Sequence, residues 1–218
     1  MRRWPLLAGG AYAAAVIVGL FVVPAAPGVT ASGATLVAYY RQHADGVRTV
    51  AWLGAVSLIP LSALLAHLRS FTTGIGRDIT MYGSIGLISS TIIWIWFGAG
   101  LALHPEQLEP TTARTIADIS AYFGPVLTAA TILLVTPIGL VAWRHVSGLP
   151  RWLAWVTVVF VIEQAIETAT ILGTHGFIAP GGDMNLTLGA GLFIVWVVAA
   201  AVASTTARPD APASIDET

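Results

Sequence analysis

Cysteine and lysine are both absent from the 218 residues of this chain. Without cysteine the protein forms no disulfide and has no thiolate ligand for zinc or an iron–sulfur cluster. Charged residues make up only 10% of the sequence, whereas about a quarter is usual for a soluble domain. All ten basic residues are arginine and the formal net charge is -1, so we predict no nucleic-acid partner.

Motifs for bound cofactors and metals are absent as well. The sequence has no phosphate-binding glycine loop, no G-x-S-x-G and no dinucleotide fingerprint, so we predict no cofactor. No two of its histidines are spaced three or four residues apart, and no H-E-x-x-H occurs, so we predict no metal site. The histidines are His43, His67, His104, His145 and His175.

Long apolar runs dominate what is present. Hydrophobic residues account for 56% of the chain, and a helix that crosses a membrane needs about 20 mostly apolar residues. Six runs approach that length: 6–23, 50–68, 79–103, 123–143, 152–172 and 186–203. Lipid-embedded backbone must pair its polar groups internally, and a helix does so by itself. We predict an all-α, polytopic bundle with six spans in one membrane domain (1–204) and a disordered tail (205–218).

The arginines predict the orientation of the spans, because cytoplasmic loops retain basic residues. With the N-terminus inside, seven arginines are cytoplasmic and three are external. We therefore predict that both termini are cytoplasmic. The apolar stretch 6–23 exceeds the roughly 7 to 15 residues of a signal peptide, so we expect an uncleaved first span.

Local signals predict several details of the helices. The first external loop ends in Asp45-Gly46 after a short helical pattern, which predicts a separate helix on the outer surface. Pro60 removes a hydrogen bond from the second span and predicts a bend there. Gly98 and Gly100 in the third span predict a face that another helix approaches closely.

The fifth span contains acidic residues among side chains that otherwise suit lipid. At 100° per residue, Glu167 lies about 40° from Glu163, and Thr170 and Thr174 lie about 20° to either side of Glu163. These residues form one polar stripe. Gln164 lies about 100° away, so we predict that it contacts a neighbouring helix.

Two functions of this stripe are open. An ionised carboxylate at this depth costs at least ~2.5 kcal/mol, and two carboxylates one turn apart repel each other. We expect one or both of Glu163 and Glu167 to be protonated and to serve as catalytic residues, as a general acid, a proton relay or a cation site. The alternative is structural hydrogen bonding to hydroxyl groups of other helices. Gln or Ser would provide such bonding at lower desolvation cost, which favours the functional interpretation.

Further residues are candidates for contacts with a ligand at the stripe. His175 lies where the fifth helix is predicted to end, and with Asp183 and Asn185 it is expected to cover an outer opening. Trp94 or Trp96 would stabilise positive charge in an aromatic-lined pocket. The predicted ligand-binding set is Gln164, Thr170, Thr174, His175, Trp94, Trp96, Tyr40 and His104.

The segment from Leu149 to Trp155 reads LPRWLAW and directly precedes a span. It resembles the L-P-R-W-L segment of a group of uncharacterised bacterial six-helix membrane proteins that includes a large actinobacterial domain-of-unknown-function group. The resemblance implies a six-span architecture in the bacterial cytoplasmic membrane. It implies no active site, since the pair of Glu163 and Glu167 is not part of the shared pattern.

Three functions follow as hypotheses. The leading one is a site that binds or transforms a small lipophilic molecule, for example by proton-initiated isoprenoid chemistry with a glutamate as the acid. The second is a transporter coupled to protons or another cation. The third is a non-catalytic membrane subunit whose stripe faces a partner, either another protein or a second copy of the chain. Besides these, we expect the lipid bilayer itself as a partner.

Overall fold

The structure, a computed structural model, describes residues 3–145 and 148–207, and every regular element in those ranges is helical. The prediction of an all-α fold is therefore confirmed. The predicted tail lies outside the described residues from position 208 onward. The α-helices are α1 (Trp4–Val22), α2 (Gly33–Arg69), α3 (Gly74–Leu101), α4 (Pro110–Ala121), α5 (Phe123–Arg144), α6 (Arg151–Glu167) and α7 (Ala190–Thr206).

Six helical segments are long and apolar enough to cross a membrane. Four of them coincide with α1, α2, α3 and the combined α4 and α5. The fifth is α6 extended by a 3₁₀ turn, Thr168–Leu172, and the sixth is α7 preceded by a π-helical turn, Met184–Gly189. Large apolar side chains such as Phe21 and Ile59 lie exposed on these helices. The chain is a multi-pass membrane protein whose outer surface suits lipid.

The spans form a closed ring. Each of α1, α2, α3, α5, α6 and α7 packs against the next, and α7 returns to pack against α1. Trp196 and Phe160 are among the largest side chains fully buried inside this ring. Gly83 of α3 lies directly on the backbone of α5 near Leu134, where a Cβ would clash. Gly83 thus allows α3 and α5 to approach each other closely.

The predicted close approach at Gly98 and Gly100 is absent, because a Cβ built on either residue meets nothing within 4 Å. Both glycines lie near the end of α3. A small residue permits close packing only where the fold brings a second helix alongside.

Helix α2 is a single element that begins in the predicted surface segment and continues to Arg69. It does not stop at Asp45-Gly46. Its backbone leaves helical geometry at His43, with φ -120° and ψ 15°, and not at Pro60. A Cβ at Gly46 would lie 3.3 Å from Cβ of Val23, so this glycine lets the end of α1 pack against α2 just after the bend.

The first turns of α2 and the whole of α4 pack together at one end of the ring, which we call the cap end. Gly33 lies against the backbone of Pro110. The Arg114 guanidinium donates hydrogen bonds to the carbonyls of Gly28 (3.3 Å) and Ala31 (3.0 Å). Arg41 donates to the carbonyl of Pro105 at 3.3 Å. These two arginines fasten the cap end to its own loops.

The opposite end of the ring, which we call the basic end, has a different charge. In the described ranges it contains five arginines and one acid, whereas the cap end contains three arginines and five acids. The basic-end arginines are Arg3, Arg69, Arg77, Arg144 and Arg151, and the acid is Asp78. The predicted cytoplasmic position of both termini is based on this unequal distribution of arginines.

Single cysteines test that orientation, since the chain has none of its own. Thr73, at the basic end before α3, and Thr111, on α4, are both exposed. We expect a membrane-impermeant maleimide to label Thr111→Cys in intact cells. Thr73→Cys should be labelled only after the membrane is opened, and the reverse pattern would refute the orientation.

Candidate functional site

Helix α6 carries two glutamates into the interior of the ring. Glu163 is 7% exposed and Glu167 is 3% exposed. Twelve residues separate Glu163 from the start of α6 at Arg151, which corresponds to about 18 Å at 1.5 Å per residue. Glu163 therefore lies near the middle of its span, and Glu167 lies one turn closer to the cap end.

Gln164 joins the two carboxyl groups. Its side-chain Nε2 donates to Oε2 of Glu163 at 3.0 Å and to Oε2 of Glu167 at 2.5 Å. Its Oε1 accepts a short hydrogen bond from the Thr131 hydroxyl of α5. The side chain does contact the neighbouring helix, and it also turns back to the glutamates. A single amide group thus links α5 to both acids.

Asn185 supplies the contact from the π-helical turn before α7. Its Nδ2 donates to Oε1 of Glu167 at 2.6 Å and to the Thr170 hydroxyl at 3.2 Å. Its Oδ1 accepts from the backbone amide of Gly181 at 2.9 Å. Asn185 was predicted to cover an outer opening and is not in the predicted ligand-binding set. The sequence signal for its role is an amide side chain directly before an apolar span, where burial requires a hydrogen-bond partner.

We call Thr131, Glu163, Gln164, Glu167, Thr170 and Asn185 the acidic network. All six are buried, and no arginine or histidine takes part in it. The three ion pairs among described residues involve Arg41, Arg48 and Arg114, all at the cap end. One carboxylate oxygen, Oε1 of Glu163, is buried with no hydrogen-bond partner among the described residues. Two carboxyl groups thus share the interior with no arginine or histidine bonded to them among the described residues.

The backbone around the acidic network departs from α-helix on both sides. Helix α6 tightens into the 3₁₀ turn Thr168–Leu172 directly after Glu167, and the facing chain is the π-helical turn Met184–Gly189. A Cβ at Gly189 would lie 2.5 Å from Oε2 of Glu167. Irregular turns of this kind are frequent at functional sites. Gly189 lets the Glu167 carboxyl group rest against the start of α7.

The polar stripe is shorter than the sequence predicts. Thr170 belongs to it, since it is fully buried and contacts Asn185. Thr174 does not continue it, because the chain leaves the helix after Leu172 and the side chain is exposed, as is that of His175 at the predicted helix end. Their side chains contact each other at 2.9 Å.

The remaining candidate ligand contacts lie away from the acidic network. Trp94 is 38% exposed and stacks on Phe123, with ring centroids 5.3 Å apart. Trp96 is exposed on the outside of the ring, and His104 is exposed at the cap end. Tyr40 is buried at the cap end with Leu101. None of these four residues forms a hydrogen bond with either glutamate among the described residues.

Two surface hollows occur at the cap end. One, of about 370 Å³, lies between α2 and the start of α4 and is lined by Arg41, Glu106 and Glu109 among others. The second, of about 340 Å³, is lined by Asp45, Arg48, Thr49 and Trp52. Neither is lined by Glu163 or Glu167, and within the described ranges no group of three or more potential metal ligands occurs.

The fold and site together define a multi-pass α-helical membrane protein with a buried acidic network. Comparisons with protein-family models, with curated proteins and with solved structures find no match to this chain. The resemblance carried by the LPRWL segment therefore stays a prediction.

Gly189 and Gly191 form a matched pair for testing the packing at Glu167. Gly189→Ala forces a methyl group against the carboxyl group, and overpacking of this kind costs about 1–3 kcal/mol. Gly191→Ala meets nothing within 4 Å and should be neutral or stabilising by about 0.5–1 kcal/mol, because glycine is unfavourable within a helix. Thermal unfolding of the purified protein in detergent measures both. Equal effects of the two substitutions would contradict the packing described.

Proposed function

We propose that this membrane protein works by taking up and releasing a proton at the pair formed by Glu163 and Glu167. The observation that carries the proposal is the burial of both carboxyl groups without a cation among the described residues. A buried unpaired charge is far more costly than a buried neutral acid. A proton held between the two groups removes one of the two charges.

The hydrogen bonds support a pair that carries one proton. Glu167 accepts from two amide groups, those of Gln164 and Asn185, which suits an anion. Glu163 accepts from Gln164 alone and leaves Oε1 without a partner. The bridging amide contacts both acids, so a change of charge on either one alters the position of Gln164 and its bond to α5.

Access to the pair is supported from the cap end. The network continues from Glu167 through Asn185 to the amide of Gly181, which lies in the loop between α6 and α7. Towards the basic end the interior is largely apolar, with Phe160 and Val197 buried, and the buried hydroxyl of Thr157 accepts a hydrogen bond from Trp196. Amide groups do not carry protons, so exchange with the cap-end side requires water to reach Glu167, and transport to the other side requires Phe160 and its neighbours to move.

The geometry favours this function over the two other hypotheses. A lipophilic substrate needs an apolar pocket at the acids, whereas the Glu167 carboxyl group lies against Gly189 and bonds to the amides of Gln164 and Asn185. A stripe that binds a partner subunit would face outward, whereas both glutamates are buried within the same chain. We further propose, from the arginine distribution, that the basic end faces the cytoplasm of a bacterial cytoplasmic membrane.

Infrared spectroscopy tests the proposal directly, because the carbonyl stretch of a protonated acid is separate from the carboxylate bands. We expect a protonated-acid band in the purified wild-type protein at neutral pH. The double variant Glu163→Gln/Glu167→Gln should lose it, since both carboxyl groups become amides of similar shape.

Glu106→Gln/Glu109→Gln provides the control, since both residues are exposed at the cap end. This variant should keep the band of the wild-type protein. A wild-type spectrum without the band at neutral pH, or an unchanged band in the Glu163→Gln/Glu167→Gln variant, would refute the proposal.

A further inference from the structure

Two arginines at the basic end, one at the end of α5 and one at the start of α6, have no acidic partner among the described residues. Arg144 is the last residue of α5 and Arg151 is the first residue of α6. Both side chains are exposed, and neither forms an ion pair or hydrogen bond with any described residue. This differs from the cap end, where every described arginine is paired with a carboxylate.

Contacts between the end of α5 and the start of α6 bring the backbone at these two arginines together. The rings of Trp143 and Trp155 meet edge to face, with centroids 5.2 Å apart. His145 ends α5 with a left-handed backbone conformation, φ 57°, and its Nδ1 lies 3.1 Å from the carbonyl oxygen of Leu149. The positions of Arg144 and Arg151 are therefore set by the fold.

The same tryptophans mark where the membrane boundary lies. Trp143 is 50% exposed and Trp155 is 59% exposed, on the outer surface of the ring. Tryptophan favours the level of the lipid headgroups because its ring is apolar and its N–H is polar. Arg144 follows Trp143 directly, and Arg151 lies one turn before Trp155 on the same helix. The backbone of both arginines therefore lies at about the level of the lipid phosphates.

We propose that Arg144 and Arg151, with the Trp143–Trp155 pair, bind the phosphate headgroup of an anionic phospholipid. Guanidinium groups bind phosphate oxygens with charge-assisted, bidentate hydrogen bonds. The net charge of the basic end favours an anionic lipid over a zwitterionic one, since its described part has five arginines and one acid. The exposed indole rings then contact the glycerol and upper acyl chains of the same lipid.

The test is a lipid titration of the purified protein in detergent. Phosphatidylglycerol is added and thermal stability is followed, with phosphatidylcholine and soluble glycerol phosphate as separate titrations. We expect phosphatidylglycerol alone to raise the unfolding temperature in a saturable manner. An equal rise with glycerol phosphate would indicate a site for free phosphate, and an equal rise with phosphatidylcholine would indicate a general lipid effect; either result overturns the proposal.

Substitutions connect the effect to this turn. Arg144→Gln/Arg151→Gln should weaken the apparent affinity for phosphatidylglycerol about 25-fold, at roughly fivefold for each arginine near an anionic surface. Arg48→Gln, an exposed arginine at the cap end, should leave the affinity unchanged. Unchanged affinity in the double glutamine variant would also overturn the proposal.

A second variant separates binding from folding. Arg144→Lys/Arg151→Lys keeps both charges and should retain most of the phosphatidylglycerol effect, with some loss because lysine lacks the bidentate geometry. If the glutamine variant and the lysine variant lose the effect equally, charge is not what binds the lipid and the proposal fails.

Discussion

The packing in the middle of this protein depends on the burial of two carboxyl groups that form no ion pair with any described residue. A charge left alone in an apolar interior costs several kcal/mol, roughly as much as a whole domain can spare. Amide and hydroxyl groups from three helical segments offset that cost by hydrogen bonding within the acidic network. Since the amide of Gln164 contacts both glutamates and its oxygen contacts Thr131, α5 and α6 are held in one register.

The backbone irregularities follow from the same constraint. Asn185 reaches Glu167 from a π-helical turn, and α6 changes to a 3₁₀ turn directly after Glu167. Gly189 has no side chain to displace the carboxyl group. The hydrogen bonds of Glu167 and the absence of a side chain at Gly189 thus both allow the carboxyl group to lie at the start of the sixth span.

How far the sequence predicts this structure depends on the physical origin of each feature. The six spans are predictable because lipid requires long apolar helices, and Glu163 and Glu167 stand out because acids are costly there. The bend at His43, the close approach at Gly83 and the bond of Asn185 depend on which helices become neighbours. The exposure of Thr174 follows from the change of α6 to a 3₁₀ turn after Glu167. This change is not predictable, because the sequence there continues with residues that suit an α-helix.

The two ends of the ring balance their charges in different ways, and this difference bears on how the acidic network works. At the cap end, each described arginine contacts a carboxylate, and five acids there attract cations, protons included. Towards this end the network finishes at the backbone amide of Gly181, which donates to Asn185. At the basic end the arginines attract anions and the interior is closed by apolar side chains. Under the proposed function, the field at the cap end favours the approach of a proton to Glu167, whereas the arginines of the basic end oppose it.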